Sequence, residues 1–137
     1  MKQKRLTAYE KYQLDRVAVI VKNYYRITKD ELFSAYRNNK DYYIPRHIYH
    51  YLCRIRYNLP STKIGFISGR DHASILNSIK RVEEYLTYDK IIIKDVNKLI
   101  ILLEKGDIYW DIQNLVDDIP ENRLQEFKKH IEKFIAA

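Results

Sequence analysis

Apolar residues recur every three or four positions along most of the chain, which is the spacing of an amphipathic helix rather than of a strand. One such stretch runs from about Tyr9 to Tyr25, and another runs from about Ile92 to Lys105. The pattern predicts an all-α fold. The predicted helices cover about residues 9–25, 28–36, 45–57, 62–67, 71–86, 92–105, 108–117 and 121–135.

Polar residues, proline and glycine mark where these helices should begin and end. Thr28 opens a capping box, and Asp71 is a good N-cap, because both side chains can accept hydrogen bonds from free amides. The polar stretch 36–46 is typical of a loop, with Pro45 in the first turn of the helix that follows. Gly106 is expected to end the helix that precedes it.

A short helix, a Ser68-Gly69 turn and a longer helix together have the outline of a helix-turn-helix. The longer helix covers about residues 71–86. It carries an apolar stripe formed by Ile75, Leu76, Ile79, Val82 and Leu86. In a helix-turn-helix the second helix enters the DNA major groove, and its first residues meet the base edges. The pattern therefore places residues 70–74 where bases would be contacted.

These residues suit base contacts chemically. Arg70 can form two hydrogen bonds to guanine, and a carboxylate such as that of Asp71 accepts one from cytosine. Small side chains such as Ala73 pack on thymine methyl groups. The predicted base contacts are Arg70, Asp71, His72, Ala73 and Ser74. Asn77, Ser78 and Arg81 are expected on the outward face of the same helix, which is polar and non-acidic and so does not repel phosphates.

Charge strengthens this interpretation. Residues 1–86 hold 17 Lys and Arg against 8 Asp and Glu, whereas residues 87–137 hold 8 against 10. A basic first part and a slightly acidic last part favour a polyanionic partner for the first part. The 137-residue length suits one main domain, and the three glycines and three prolines argue against a many-turned β-fold. The start lacks an apolar signal core, so we expect a cytoplasmic, nucleoid-associated protein without membrane association.

Two rival interpretations use the same part of the chain. His47, His50 and Cys53 have a spacing that could indicate metal, but no suitable fourth zinc ligand is found, so no metal site and no cofactor are predicted. Asp71 and His72 could form a catalytic pair, but adjacent helix residues diverge and no nucleophile has a motif. The sequence does not predict an enzyme.

Three stretches resemble the C-terminal DNA-binding domain, domain IV, of the bacterial replication initiator DnaA family. They are VAVIVKNYYRITKDELFSAYRNNK (17–40), IPRHIYHYLCRIRYNLPSTKIG (44–65) and GRDHASILNSIKRV (69–82). The resemblance covers roughly residues 10–105. It implies a multi-helix bundle with a helix-turn-helix of the DnaA domain IV or Trp-repressor-like type, followed by a C-terminal helical extension. It also implies sequence-specific binding to double-stranded DNA, at a site like the DnaA box, in replication initiation or its regulation.

The resemblance also implies roles for individual positions. The Arg70-Asp71-His72 string matches the family's base-contacting string, and Ala73 stands where the family has a hydroxyl. Loop 37–41 matches a loop that places an arginine in the minor groove. The cations available in that loop are Arg37 and Lys40, and the implied backbone contacts are Arg46, His47, Arg54, Ser61, Thr62 and Lys63.

The family's nucleotide-binding motor domain needs a phosphate loop with the pattern G-x-x-x-x-G-K-[ST]. The three glycines of this chain do not have that spacing, so we expect a stand-alone DNA-binding domain that acts without ATP. The expected division is a DNA-binding domain at 1–105 and a helical extension at 106–137. The acidic extension could fold back over the core with Trp110 buried, bind a protein partner, or associate with a second copy. A transcriptional regulator remains an alternative function.

Overall fold

The computed structural model describes residues 5–34 and 39–137, with the backbone alone for Asp107, Tyr109, Trp110, Asp111, Gln113 and Asn114. Its regular structure is helical throughout, and no strand occurs among these residues, so the all-α prediction is confirmed. The helices are α1 (Ala8–Tyr25), α2 (Lys29–Leu32), α3 (Lys40–Tyr57), α4 (Ser61–Ser68), α5 (His72–Tyr85), α6 (Lys90–Asp117) and α7 (Leu124–Ala136). The chain divides into two compact units, Met1–Leu103 and Glu104–Ala137.

The first unit has a core to which α1, α3, α4, α5 and the first part of α6 all contribute. Its fully buried apolar side chains include Leu14, Val17, Val21, Ile48, Leu52, Ile64, Ile75, Val82, Leu99 and Leu103. Burying a side chain of this size contributes about 1.5–3 kcal/mol. The helical spacing of Ile48, Leu52 and Ile55 predicts that all three face inward, but Ile55 is 45% exposed near the end of α3.

The helix starts that were predicted from capping residues are confirmed. In the capping box of α2, the Thr28 hydroxyl accepts a hydrogen bond from the Glu31 amide at 3.0 Å, and the Glu31 carboxylate accepts one from the Thr28 amide at 2.9 Å. The Asp71 carboxylate accepts a hydrogen bond from the Ser74 amide at 2.8 Å and so begins α5. These contacts join residues three positions apart, and local sequence is therefore enough to predict them.

Residues 36–38 of the predicted loop at 36–46 lie outside the described residues. The prediction is wrong from residue 40 onward, because α3 begins at Lys40 and contains Pro45. The Asn39 side chain accepts a hydrogen bond from the Asp41 amide at 3.0 Å and serves as the N-cap. Proline is unfavourable inside a helix because it lacks an amide hydrogen and its ring crowds the preceding turn. Pro45 is buried, and the packing of α3 outweighs its local preference.

The predicted end at Gly106 is also wrong, since α6 continues from Lys90 to Asp117. Glycine costs only about 1 kcal/mol relative to alanine inside a helix, and no proline follows it until Pro120. A single glycine between good helix formers therefore does not stop the helix. The start of α6 is fixed by the Asp89 carboxylate, which accepts hydrogen bonds from the Ile91 and Ile92 amides at 3.1 Å.

The second unit contains the end of α6, a 3-10 turn at Glu121–Arg123 and α7. Large apolar side chains are exposed on it, including Leu115 at 68% and Phe134 at 84%. The predicted burial of Trp110 concerns a side chain outside those that the structure describes. None of the described helices has both the length and the apolar character that a membrane span needs.

Candidate nucleic-acid interface

Helices α4 and α5 are joined by a turn that brings them very close together. Gly69 ends α4 in the left-handed conformation, with φ of 66°, which glycine adopts without strain. The Arg70 amide then donates a hydrogen bond to the Gly65 carbonyl at 3.2 Å. A Cβ atom on Gly65 would lie 2.1 Å from the Arg70 carbonyl oxygen. Only glycine at position 65 leaves room for this turn, which sets the angle at which α5 leaves α4.

The first residues of α5 are open to solvent. Asp71, His72, Ala73 and Ser74 are all exposed. Hydrogen bonding from the Ser74 backbone lowers the pKa of the Asp71 carboxyl, so the group is ionised at neutral pH. An ionised carboxylate has two acceptor oxygens with several lone pairs. Capping α5 therefore leaves Asp71 with capacity to accept a further hydrogen bond from outside the protein.

His72 is oriented by a residue of the preceding helix. Its ring Nδ1 lies 2.5 Å from the hydroxyl oxygen of Ser61, which is buried at the start of α4. This contact ties the first residue of α5 to the first residue of α4. Ser61 thus positions the His72 ring, whereas Thr62 beside it is exposed.

The outer face of α5 up to residue 82 consists of exposed side chains, which are His72, Ala73, Ser74, Leu76, Asn77, Lys80 and Arg81. Sequence analysis missed two of them, Leu76 and Lys80. Ser78 was expected on this face, but it is buried. Leu76 was expected in the core, but it is 43% exposed. Its neighbours Ile75, Ile79 and Val82 already complete a stripe at helical spacing, and residue 76 lies about 100° around the helix from residue 75. That offset is the signal that could have identified it.

Two predicted contact residues converge on one backbone carbonyl. Arg46 of α3 and Arg70 before α5 both donate to the Ser34 carbonyl oxygen, at 2.8 Å and 2.6 Å. Arg46 is buried and Arg70 is half-buried. The carbonyl directly precedes the loop in which Arg37 was predicted to enter the minor groove; Arg37 lies outside the described residues. The two arginines therefore connect α3 and α5 to the start of that loop.

The remaining predicted cations differ in their surroundings. Lys63 forms an ion pair with Glu10 at 2.5 Å, and that contact lowers the pKa of the Glu10 carboxyl. Lys40 is exposed at the start of α3, Arg54 is half-buried, and Arg81 is exposed on α5. Lys40 and Arg81 are therefore the most accessible of these cations, while the Lys63 ammonium group is already paired.

A basic pocket of about 430 Å³ lies between α3 and α5. It is lined by Arg46, His47, His50, Arg70 and Arg81 together with hydroxyl and amide side chains, and no carboxylate is among the residues that line it. The His47 Nδ1 lies 2.8 Å from the Ser78 hydroxyl oxygen. Burial, with added repulsion from Arg46, Arg81 and Arg70, lowers the pKa of His47 to about 4. The pocket thus combines arginine charge with neutral histidines.

His47, His50 and Cys53 form no metal centre in the part of the chain that the structure describes, where no group of three potential ligands is placed to hold an ion. Cys53 is buried in the core, and burial raises the pKa of its thiol. A thiol that resists ionisation is a poor metal ligand, since the thiolate is the form that coordinates.

A protein-family model described as the bacterial DnaA protein helix-turn-helix matches residues 14–82, just over half of the chain. The chain is 33% identical over 76 residues to the chromosomal replication initiator protein DnaA of Acholeplasma laidlawii. It is 36% identical over 84 residues to the DnaA protein of Corynebacterium jeikeium. These alignments cover 55% and 61% of this chain, but only 17% and 14% of the two relatives. The matched region contains α2, α3, α4 and the whole outer face of α5.

Proposed function

The chain belongs to the bacterial DnaA helix-turn-helix family, and from this premise we propose that it binds a specific sequence in double-stranded DNA through α5 in the major groove. The observation that carries the proposal is the exposed outer face of α5, which directly follows the N-cap Asp71. No acidic residue occurs between positions 72 and 82. Helix α5 is held by the tight α4–α5 turn, so its first residues can be presented as one rigid surface.

Contacts to bases are assigned to the start of α5. Asp71 accepts from a base amino group, His72 lies beside it, and Ala73 and Leu76 pack against methyl groups. Ser74 adds a hydroxyl, while Arg70 supplies positive charge next to the helix start. The small side chain of Ala73 and the apolar side chain of Leu76 favour thymine over a base that offers only polar atoms.

Contacts to phosphates surround this surface. The residues assigned to phosphates have exposed or half-buried side chains and are Lys40, Arg54, Thr62, Asn77, Lys80 and Arg81. Phosphate contacts fix the register of a protein on the duplex without specifying its sequence. The charge of the first 86 residues, 17 basic against 8 acidic, provides the long-range attraction.

We place this activity in replication initiation or its regulation, at a site like the DnaA box. The support is the family match together with the relatives, which are named as chromosomal replication initiator proteins. Transcriptional regulation through the same DNA contacts is the second candidate. A site that lies in an origin would favour the first role, and a site that overlaps promoters would favour the second.

Selection of bound duplexes from random DNA, without added nucleotide, tests the proposal directly. We expect one asymmetric motif, because one copy of the chain carries one α5 surface. A salt titration on the recovered duplex should give a slope of log K against log salt near −4.5 to −6, for about five to seven phosphate contacts. If no motif is enriched, the proposed sequence specificity is contradicted. If the affinity does not change with salt concentration, the proposed phosphate contacts are contradicted.

We further assign DNA binding to residues 1–105 and regard residues 106–137 as a helical extension that could bind a protein partner or a second copy. The compact unit Met1–Leu103 supports this division. Arg16 of α1 donates a hydrogen bond to the Leu103 carbonyl, which connects α1 to the last residue of that unit.

A further inference from the structure

His50 is a buried polar side chain that the DNA-binding proposal does not use. It is 1% exposed, it lies on α3, and it lines the basic pocket. Within the described part of the chain, neither of its ring nitrogens has a hydrogen-bonding partner. A buried donor or acceptor without a partner is energetically unfavourable, so such groups in proteins normally have a partner.

The protonation state of His50 decides what it can bind. Burial, with repulsion from His47, Arg46 and Arg70, lowers the pKa of His50 to about 3. At neutral pH the ring is therefore uncharged and carries one N–H donor and one acceptor nitrogen. A metal cation could use the acceptor nitrogen, but the three neighbouring guanidinium groups would repel it.

The surroundings of the pocket favour an anion. Arg46, Arg70 and Arg81 all line it, and the rest of its lining offers serine, asparagine and tyrosine side chains. Arg46 and Arg70 each have a guanidinium nitrogen bonded to Ser34, and these hydrogen bonds hold both charges in place. Guanidinium groups form paired hydrogen bonds with the oxygens of phosphate or carboxylate groups. A phosphate group has additional oxygens, which can accept from the hydroxyl, amide and ring donors of the same pocket. The volume of about 430 Å³ falls in the range of small-ligand pockets.

We propose that this pocket binds a phosphate group, with the His50 ring N–H donating to one oxygen and Arg70 and Arg81 balancing the charge. The group could belong to a free phosphorylated small molecule or to the backbone of bound DNA, since both present the same oxygens. The proposal does not require DNA binding, because the pocket is formed by the protein alone.

The first experiment uses inorganic phosphate and the full chain labelled in its histidine rings. Phosphate replaces chloride at constant ionic strength and at pH 7, and the ring signals are followed by NMR. His50 should shift and saturate in the millimolar range, while His130, which lies in the other compact unit, acts as an internal control. A linear change that never saturates, or equal shifts at both histidines, would overturn the proposal and indicate an unspecific ion effect.

Two variants connect the signal to the pocket. Arg81→Gln changes an exposed side chain and should leave the fold intact while it weakens phosphate binding about tenfold, which is the usual effect of losing one hydrogen bond to a charged group. His50→Leu should abolish saturable binding. The exposed Lys98→Gln variant is the matched control, because Lys98 lies on α6, does not line the pocket and belongs to no proposed contact. Equal binding by Arg81→Gln and the parent protein would contradict the assignment, even if His50→Leu fails to fold.

A second arm identifies the source of the phosphate. Saturating duplex is added to the labelled protein in a phosphate-free buffer, and the His50 signals are recorded again. A shift would mean that a DNA backbone phosphate occupies the pocket, whereas unchanged signals together with saturable inorganic phosphate would mean a free ligand. If no duplex binds at all, the proposed function fails, and the inorganic phosphate titration still decides this inference by itself.

Discussion

At the scale of single residues, some side chains near the start of α5 serve both the fold and the candidate interface. Asp71 caps α5 through the Ser74 amide, and its exposed carboxylate begins the surface assigned to base contacts. Arg70 anchors to the Ser34 carbonyl and also lines the basic pocket. Mutations at such positions change stability and binding together, and well-chosen substitutions are needed to separate the two.

Asp71→Asn separates capping from base contact. Asparagine caps helices about as well as aspartate, so the stability of the fold should hardly change. The loss of the carboxylate should reduce discrimination at one base pair by about 1–3 kcal/mol, while non-specific affinity stays equal or rises. Competition binding with the selected and a random duplex measures the ratio. An unchanged ratio would mean that Asp71 is only a cap, and Asp71→Ala then serves to measure the capping contribution of about 1 kcal/mol.

Arg46 and Arg54 provide a second comparison. The family resemblance implies phosphate contacts for both arginines. In the structure Arg46 is buried and donates to the Ser34 carbonyl, whereas Arg54 is half-buried. Arg46→Ala should therefore lower the free energy of unfolding by about 1–3 kcal/mol, since it removes a buried hydrogen bond. Arg54→Ala should weaken binding to every duplex about equally, because phosphate contacts carry no direct sequence information. Denaturant unfolding and duplex titration of both variants test this difference, and a changed site preference for Arg54→Ala would contradict it.

At the scale of elements, the orientation of α5 depends on two glycines of the preceding helix and turn. Gly65→Ala would place a Cβ atom 2.1 Å from the Arg70 carbonyl oxygen, so the turn must move. Such overpacking typically costs about 1–3 kcal/mol, and the shifted α5 should also lose sequence discrimination. Gly69→Asn is the matched control, because nothing lies within 4 Å of its Cβ position and asparagine tolerates a positive φ. Thermal unfolding that shows equal stability for both variants would refute the close-approach argument.

The contact between α3 and α5 should also make stability depend on pH. His47 and His50 have folded pKa values of about 4 and 3, below the value of 6.5 expected for an unfolded chain. Below pH 6.5 the unfolded chain binds protons that the folded protein does not, so stability should fall as pH decreases from 6.5 towards 4. The contribution of His50 to the free energy of unfolding should change by no more than about 1.4 kcal/mol per pH unit. Denaturant unfolding at several pH values, with a folded His50→Leu variant for comparison, measures this contribution; an identical pH profile would exclude His50 as its source.

At the scale of the whole molecule, the basic excess and the compact DNA-binding unit both end in the second half of the chain. The basic excess lies before residue 87, and the boundary between the compact units lies at Leu103. Truncation after Lys105 should therefore keep the preferred DNA site and most of the affinity. Selection from random DNA with the truncated chain checks this expectation. Loss of specificity in a truncated protein that is still folded, as judged by circular dichroism, would place residues 106–137 in the DNA interface.

The sequence by itself determined the features that depend on near neighbours. The all-α class, the capping of α2 and α5, the Ser68-Gly69 turn and the helix-turn-helix outline all rest on residues a few positions apart. Their hydrogen bonds form within one turn of chain, so residue type and spacing are sufficient to predict them. The position of Leu76 could have been predicted in the same way, from its offset around the helix.

Only the tertiary structure decided the features that join distant residues. Pro45 is accepted inside α3 because packing buries it, although local preference placed it in the first turn. Arg46 and Arg70 both donate to the Ser34 carbonyl, although they lie 12 and 36 residues after it in the sequence. His47 contacts Ser78, which lies 31 residues further along the chain. The basic pocket exists, and the His50 ring is buried beside it, because α3 packs against α5. Such contacts depend on how helices pack in space, which the spacing of residues along the chain does not determine.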